Sequence, residues 1–258
     1  MPRFAANLSM MFTEWSFLDR FAAAADAGFT AVEYLFPYDH PAEAVGAALR
    51  GAGLAQALFN LPPGDWAAGE RGMAAFPDRV GAVAQAVEAA LPYAVATGCP
   101  TLHLMAGIAD RRDARAQAAY RAAVAATAER LARENITLVL EPINGRDMPG
   151  YFLNDFNFAA ELIAALGLPN LKLQFDIYHR QILHGDVVMG LRQMMPIIGH
   201  VQVAGVPDRH EPDSGELDSG FVFAELDRLG YAGFVGCEYR PAGKTVDGLG
   251  WFKRFAGS

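Results

Sequence analysis

The chain has 258 residues, 52% of them hydrophobic and 19% charged, with a formal net charge of −8. This is globular composition with enough apolar content for one sizeable core, and α/β barrels of such length commonly form a single domain. The acidic balance and the absence of a Lys/Arg cluster argue against a nucleic-acid-binding face, and two distant cysteines without a CxxC spacing, Cys99 and Cys237, argue against a disulfide framework or a thiolate zinc site.

The N-terminal stretch MPRFAANLSMMF lacks a long apolar run with a small-residue cleavage site, and no segment approaches about 18 uninterrupted apolar residues. The expectation is a cytoplasmic protein in a reducing compartment, with no membrane partner. Short β-rich runs then alternate with Ala-rich helical stretches. RFAAN (3–7) reads as the first strand, followed by the helix WSFLDRFAAAADAG. AVEYL (31–35) and LAQALFN (54–60) are the next strands, separated by the helix PAEAVGAALRGAG. A longer loop, LPPGDWAAGERGM, precedes the helix DRVGAVAQAVEAALPYAVATG. TLHLMA (101–106) is the fourth strand, and a long helix runs on to about Asn135. ITLVLEPIN (136–144), LKLQFD (171–176), GHVQVAG (199–205) and GFVGCEY (233–239) complete the set.

Eight strand–helix units in alternation predict parallel pairing, and eight is the number that closes a (β/α)8 TIM barrel of about 250 residues. One domain is expected over 1–258, with no linker or low-complexity tract. An open doubly wound sheet would usually carry a glycine-rich phosphate turn after the first strand; here NLSMMFTEW follows instead.

In such a barrel the site lies at the C-terminal ends of the strands. The fifth strand ends in Glu141, the sixth in Asp176, the seventh carries Gln202 and the eighth Glu238. Strand alternation puts Gln174 with Asp176, His200 with Gln202, and Gly236 with Glu238 and Arg240 on one face; Phe175, Val201, Val203 and Val235 face the helices. Three carboxylates in close array repel. They need either a proton or a divalent cation, and oxygen donors suit Mg²⁺ or Mn²⁺. One Glu or Asp at a strand end is usually a cap or an ion-pair partner. Four polar residues at equivalent ends of consecutive strands are harder to explain that way.

His179 follows Asp176 by three residues, His103 lies in the fourth strand, and Arg209 and Arg146 follow Gln202 and Glu141. Arg209 is the first candidate for clamping a substrate carboxylate, Arg146 the second. His184, His210 and Glu211 read as loop or surface residues, Cys237 as packing, and Met10, Met11 and Phe12 as an apolar wall. Asn7 and Glu33 sit near pocket-lining positions without a specific signal.

The motifs LVLEPIN, FDIYHRQ, HVQVAGVPDRHEPDSGE, GFVGCEYRP and the closing T-x-x-GL-x-W together resemble hydroxypyruvate isomerases, within the xylose-isomerase-like barrels. The resemblance spans essentially the whole chain and is strongest from Glu141 onward. It implies Glu141 and Glu238 as the catalytic pair, and Glu141, Asp176, Gln202 and Glu238 as ligands to one divalent ion, Mg²⁺ or Mn²⁺, that need not be essential. His179, Arg209, His103 and Arg146 would bind a small oxo-acid. Gln202 stands where the sugar 3-epimerases of this group carry a His, which favours the oxo-acid branch. Endonuclease IV, with its His-rich zinc cluster, fits poorly a chain of six His and net −8. The implied reaction interconverts hydroxypyruvate and tartronate semialdehyde. The alternatives are 2-oxo-tetronate isomerisation, 3-epimerisation of a small ketose, and a non-catalytic ligand-binding barrel. A homo-oligomer is compatible with all of them.

Overall fold

The computed structural model describes residues 1–256. Eight parallel strands close on themselves in sequence order: β1 (Arg3–Asn7), β2 (Ala31–Tyr34), β3 (Ala55–Asn60), β4 (Thr101–His103), β5 (Thr137–Leu140), β6 (Leu171–Asp176), β7 (Ile198–Val203) and β8 (Phe234–Cys237), with β8 pairing back onto β1. Closure leaves no open sheet edge and fixes one mouth where all C-terminal strand ends meet. The outer layer comprises α1 (Arg20–Asp26), α2 (Ala42–Gly51), α3 (Val80–Thr97), α4 (Ala114–Ala132), α5 (Phe156–Leu166), α6 (Ile177–Leu183), α7 (Val187–Met194), α8 (Ser219–Arg228) and α9 (Gly250–Phe255).

The fold is the expected TIM barrel, with shorter elements. β4 stops at His103 and β5 at Leu140, so Glu141 is the first residue beyond its strand. The first helix begins at Arg20, because residues 12–19 form turns, with the Ser16 hydroxyl donating to the Asp19 carboxylate at 2.5 Å. An additional helix, α6, starts directly at the end of β6. Asp176 caps it, its Oδ1 accepting from the backbone N–H of Tyr178 at 2.7 Å and of His179 at 3.4 Å. Such a cap is worth about 1 kcal/mol.

The span Pro77–Thr97 is long and apolar enough to cross a membrane by length and composition, although polar residues interrupt it. In the barrel its inner face buries Val83, Ala86, Val87, Ala90, Leu91 and Ala94, and Glu88 on its outer side accepts two hydrogen bonds from Arg130 of α4 at 2.7 and 3.1 Å. The main core lies between strands and helices. A separate small cluster of Ala5, Ala31 and Ala57 packs with Phe234 at the start of β8. Both cysteines are free and buried, and burial pushes the Cys99 thiol up to about 12.

Candidate active site

Parity places the polar residues as expected. Glu141, Asp176, Gln202 and Glu238 are all buried and project into the mouth end of the barrel, with Asp176 directly beside Gln202 across the β6–β7 pair. One oxygen or nitrogen from each of Glu141, Asp176, His179 and Glu238 falls within 4.8 Å of the others. A cavity of about 260 Å³ opens onto this cluster, lined also by His103, Arg209 and Arg240, with Trp66 and Arg71 from the β3–α3 loop on its outer side.

The carboxylates are electrostatically uncomfortable. Burial, then the charges of Glu238 and Asp176, push Glu141 well above the ordinary carboxyl range. Burial raises Asp176 to about 6 despite Arg209 and the two backbone N–H donors. Glu238 rises to about 8, again through burial, with Arg209 opposing and Asp176 and Glu33 adding to the rise. Glu141 Oε1 and Asp176 Oδ2 are buried without a hydrogen-bond partner. Two orphaned carboxylate oxygens among three crowded acids leave a position for a cation or for shared protons.

His179 is held by a chain anchored in backbone. The Oδ1 of Asn144 accepts from the N–H groups of Arg146 at 2.9 Å and Asp147 at 3.0 Å, so its amide nitrogen must face the other way. That nitrogen donates to His179 Nδ1 at 2.6 Å, and the Asn144 backbone N–H approaches the same atom at 3.3 Å. Nδ1 is therefore the acceptor, and the imidazole proton sits on Nε2. Nε2 lies 3.7 Å from Asp176 Oδ2 and 3.8 Å from Glu141 Oε1. Burial, Arg209 and His103 push His179 well below its usual value, which keeps it neutral. It is thus an N–H donor facing the cluster rather than a lone pair available to a metal. His103 is buried with neither ring nitrogen partnered; burial and His200 lower it to about 3, and its Nδ1 is 3.8 Å from Glu141 Oε2.

Arg209 is buried and multiply held. Its Nε donates to the Glu238 carbonyl at 3.3 Å, one terminal nitrogen to Glu238 Oε2 at 2.7 Å, and the other to Asp147 Oδ2 at 2.8 Å. Its backbone adopts a left-handed φ of 58°, locked by Arg209 N–H to Gly205 O and Arg240 N–H to Arg209 O, both 2.8 Å. Glu238, Asp176 and Asp147 outweigh burial and raise its pKa. One N–H remains on each terminal nitrogen for a further oxygen.

Arg146 does not reach this site. Its backbone N–H serves the Asn144 turn, and its side chain is exposed and outside the cavity lining. The same turn brings Asp147 to Arg209 and to the Tyr178 hydroxyl, which donates at 3.2 Å. Arg71 and Arg240 are the further cations on the cavity, with the Arg71 guanidinium 3.9 Å from the Trp66 ring. Glu211 is buried rather than a surface residue, and its carboxylate accepts the Ala242 N–H at 3.2 and 3.3 Å, ordering the loop. His210 Nδ1 donates to Arg240 O at 2.7 Å, and exposed His184 accepts the Phe156 N–H at 3.3 Å. Met10 lines the cavity, while Met11, Phe12 and Cys237 are packed away from it. Asn7 and Glu33 lie inside the barrel outside the cavity lining, hydrogen-bonded to each other at 3.0 Å.

A divalent ion suits this donor set: carboxylate oxygens within reach of one another, two of them orphaned. Gln202 contributes an amide already engaged on both sides, its Nε2 donating to Glu33 at 2.8 Å and its Oε1 accepting from Gln174 at 2.6 Å, so that the oxygen keeps one lone pair.

A family model described as "Xylose isomerase-like TIM barrel" matches residues 21–255. The chain belongs to this family. Among its relatives, a 2-oxo-tetronate isomerase of Cupriavidus necator is 53% identical over 259 residues, covering 100% of both chains. The hydroxypyruvate isomerase of Escherichia coli is 42% identical, covering 97% of this chain and 98% of its own. A crystal structure named AP endonuclease, family 2, from Brucella melitensis superposes with a TM-score of 0.96 at 48% identity, covering 99% of each chain. A D-psicose 3-epimerase at 15% identity, with a TM-score of 0.80, shares the fold.

Proposed function

We propose that the protein is an isomerase interconverting hydroxypyruvate and tartronate semialdehyde through an enediol or enediolate, with Glu141 and Glu238 as the proton-transferring pair. The observation that carries this reading is the pair itself: two buried glutamates at one cavity, Glu141 pushed well above the ordinary carboxyl range and Glu238 raised to about 8. A group that must alternately accept and deliver a proton near neutral pH works best with such a value.

One glutamate takes a proton from C3 of hydroxypyruvate and the other delivers one to C2, while the hydroxyl proton passes between the two oxygens. Positioned acid–base groups contribute about 10²–10⁴-fold. His179, neutral and with its proton on Nε2, donates to a substrate oxygen as charge develops. Arg209 offers its two remaining N–H groups to the substrate carboxylate while keeping Glu238 in place. His103 adds an unpartnered imidazole beside Glu141. Glu141, Asp176 and Glu238, with the Gln202 oxygen, would hold Mg²⁺ or Mn²⁺. When bound, such an ion supplies Lewis-acid stabilisation of the developing oxyanion.

The closely related reading is 2-oxo-tetronate isomerisation, favoured by the 53% identity to a relative of that name and by the polar outer side of the cavity, where Arg71 and Arg240 could meet a fourth carbon and its hydroxyl. Side-by-side steady-state assays with hydroxypyruvate and 2-oxo-tetronates test the choice. A kcat/KM higher for hydroxypyruvate supports the first reading, one higher for a 2-oxo-tetronate replaces it with the second, and activity on neither removes both.

A further inference from the structure

Inside the barrel, beside the mouth cluster, sits another acid that the mechanism does not use. Glu33, on β2, is completely buried. Its Oε1 accepts from Asn7 Nδ2 at 3.0 Å and from Gln202 Nε2 at 2.8 Å, and its Oε2 accepts from His200 Nε2 at 2.7 Å. The fold makes room for it. A Cβ added at Gly236 on β8 would come within 2.1 Å of Glu33 Oε2. The β2–β3 register shifts between Val32 and Glu33, and the β6–β7 register shifts between Leu173 and Gln174, each irregularity falling at one of the polar residues of this network. Bulges of this kind re-aim side chains.

The network has a direction. Gln202 turns its NH₂ to Glu33 Oε1, at 2.8 Å, and its oxygen to the other side. That other side is β6, the strand carrying Asp176. The Gln202 oxygen in turn obliges Gln174 to present its NH₂ at 2.6 Å, which leaves Gln174 Oε1 as a buried acceptor with no partner. With Glu33 removed, nothing holds the two amides in this sense, and Gln202 can turn N–H rather than oxygen towards β6.

We propose that Glu33, seated in the space left by Gly236, is a positioning residue that sets which way the Gln202 and Gln174 amides face, so that Gln202 keeps its oxygen turned towards β6, the strand that ends in Asp176. The inference deepens the proposed function and rests on its metal reading, since the oxygen it fixes is the one a divalent ion would use. Glu33 touches no reacting atom; it acts through Gln202.

The test measures Mn²⁺ binding by electron paramagnetic resonance, together with kcat and KM, for the wild type and three variants. Glu33→Met removes every acceptor. Gly236→Ala keeps the carboxylate but forces it out of place. Glu33→Gln removes the charge but keeps an oxygen where Gln202 and Asn7 donate. Partners behind a metal ligand typically contribute about 10–100-fold in metal affinity or activity. Glu33→Met and Gly236→Ala are expected to lose Mn²⁺ affinity and kcat in that range with a smaller change in KM, while Glu33→Gln stays within about threefold of wild type. A folded Glu33→Met or Gly236→Ala enzyme with wild-type Mn²⁺ affinity and kcat overturns the proposal. So does a Glu33→Gln variant as damaged as Glu33→Met, which would assign the effect to charge rather than to orientation. If Glu33→Met does not fold, Gly236→Ala decides. A wild-type enzyme that binds no Mn²⁺ breaks the metal reading instead, and the kcat values of the same variants then decide whether Glu33 positions the site.

Discussion

Two acidic centres share the barrel interior and are built on opposite terms. Around Glu33 every carboxylate oxygen has a donor: Asn7 and Gln202 on one, His200 on the other. At the mouth, Glu141 Oε1 and Asp176 Oδ2 have none, and both ring nitrogens of His103 are idle. The same chain therefore satisfies a deeply buried carboxyl group where it only orients its neighbours, and leaves acids crowded and under-bonded where a substrate enters. Unsatisfied buried groups cost stability. Where Glu141, Asp176 and His103 bring such groups together at one cavity, that cost is exchanged for chemistry.

The contrast is broken most severely by neutralising the mouth. Glu141→Gln and Glu238→Gln each remove one proton-transfer group, and a loss of at least about 10³ in kcat is expected in steady-state assays. Thermal denaturation of the metal-free Glu141→Gln protein should show a Tm equal to or above wild type, because the change relieves like-charge repulsion, whereas Glu238→Gln also removes the anionic partner of buried Arg209. Glu33→Met should do the reverse to stability: it strands the buried Asn7 and His200 donors and should lower the Tm, each orphaned donor costing about 1–3 kcal/mol.

A second change attacks the orientation of His179. Asn144→Asp replaces an NH₂ that donates to Nδ1 with an acceptor, which draws the imidazole proton onto Nδ1 and away from the substrate. A fall of about 10–100-fold in kcat, with little change in KM, is expected from steady-state kinetics. The ¹⁵N chemical shifts of the ring should report the change of tautomer.

A smaller effect comes from pH. In the metal-free enzyme Asp176 and Glu238 titrate near 6 and 8, against ordinary values of 3.8 and 4.5. Between these limits the folded chain holds protons that the unfolded chain has released. Stability from this source is complete below about pH 4 and is lost as the pH rises through about 6 and then about 8. Calorimetry should show the Tm of the metal-free enzyme falling over that window, with Mn²⁺ raising it more at about pH 8.5 than at about pH 6. Smallest of all, Arg146→Ala should leave kcat/KM within about twofold of wild type, because the exposed side chain lies outside the cavity.

Much of this was legible in the sequence, for identifiable reasons. Strand alternation is a local signal, and it put Glu141, Asp176, Gln202 and Glu238 on the inner face because Phe175, Val201, Val203 and Val235 had to face the helices. Strand–helix alternation likewise carried the closed barrel. What escaped was set by contacts distant in sequence. Nothing near Glu33 reveals that His200, 167 positions away, would donate to it, or that Gly236 leaves the space for it. Arg146 and Asp147 are neighbours in one loop, and only the turn closed by Asn144 Oδ1 decides that the acid, not the base, faces Arg209. Asn144 itself had no signal beyond its place after Glu141. The membrane-length apolar span Pro77–Thr97 was concealed because polar residues such as Gln85 and Glu88 interrupt it.

The central claim is that two glutamates move a proton between adjacent carbons of a small oxo-acid. Proton exchange followed by NMR in D₂O tests it most directly, with wild type, Glu141→Gln and Glu238→Gln incubated with hydroxypyruvate. The wild type is expected to incorporate deuterium at C3 of hydroxypyruvate and at C2 of tartronate semialdehyde, and neither variant to complete the conversion. Conversion at near wild-type rate by either variant, or product formed with no solvent deuterium at C2, would contradict the claim.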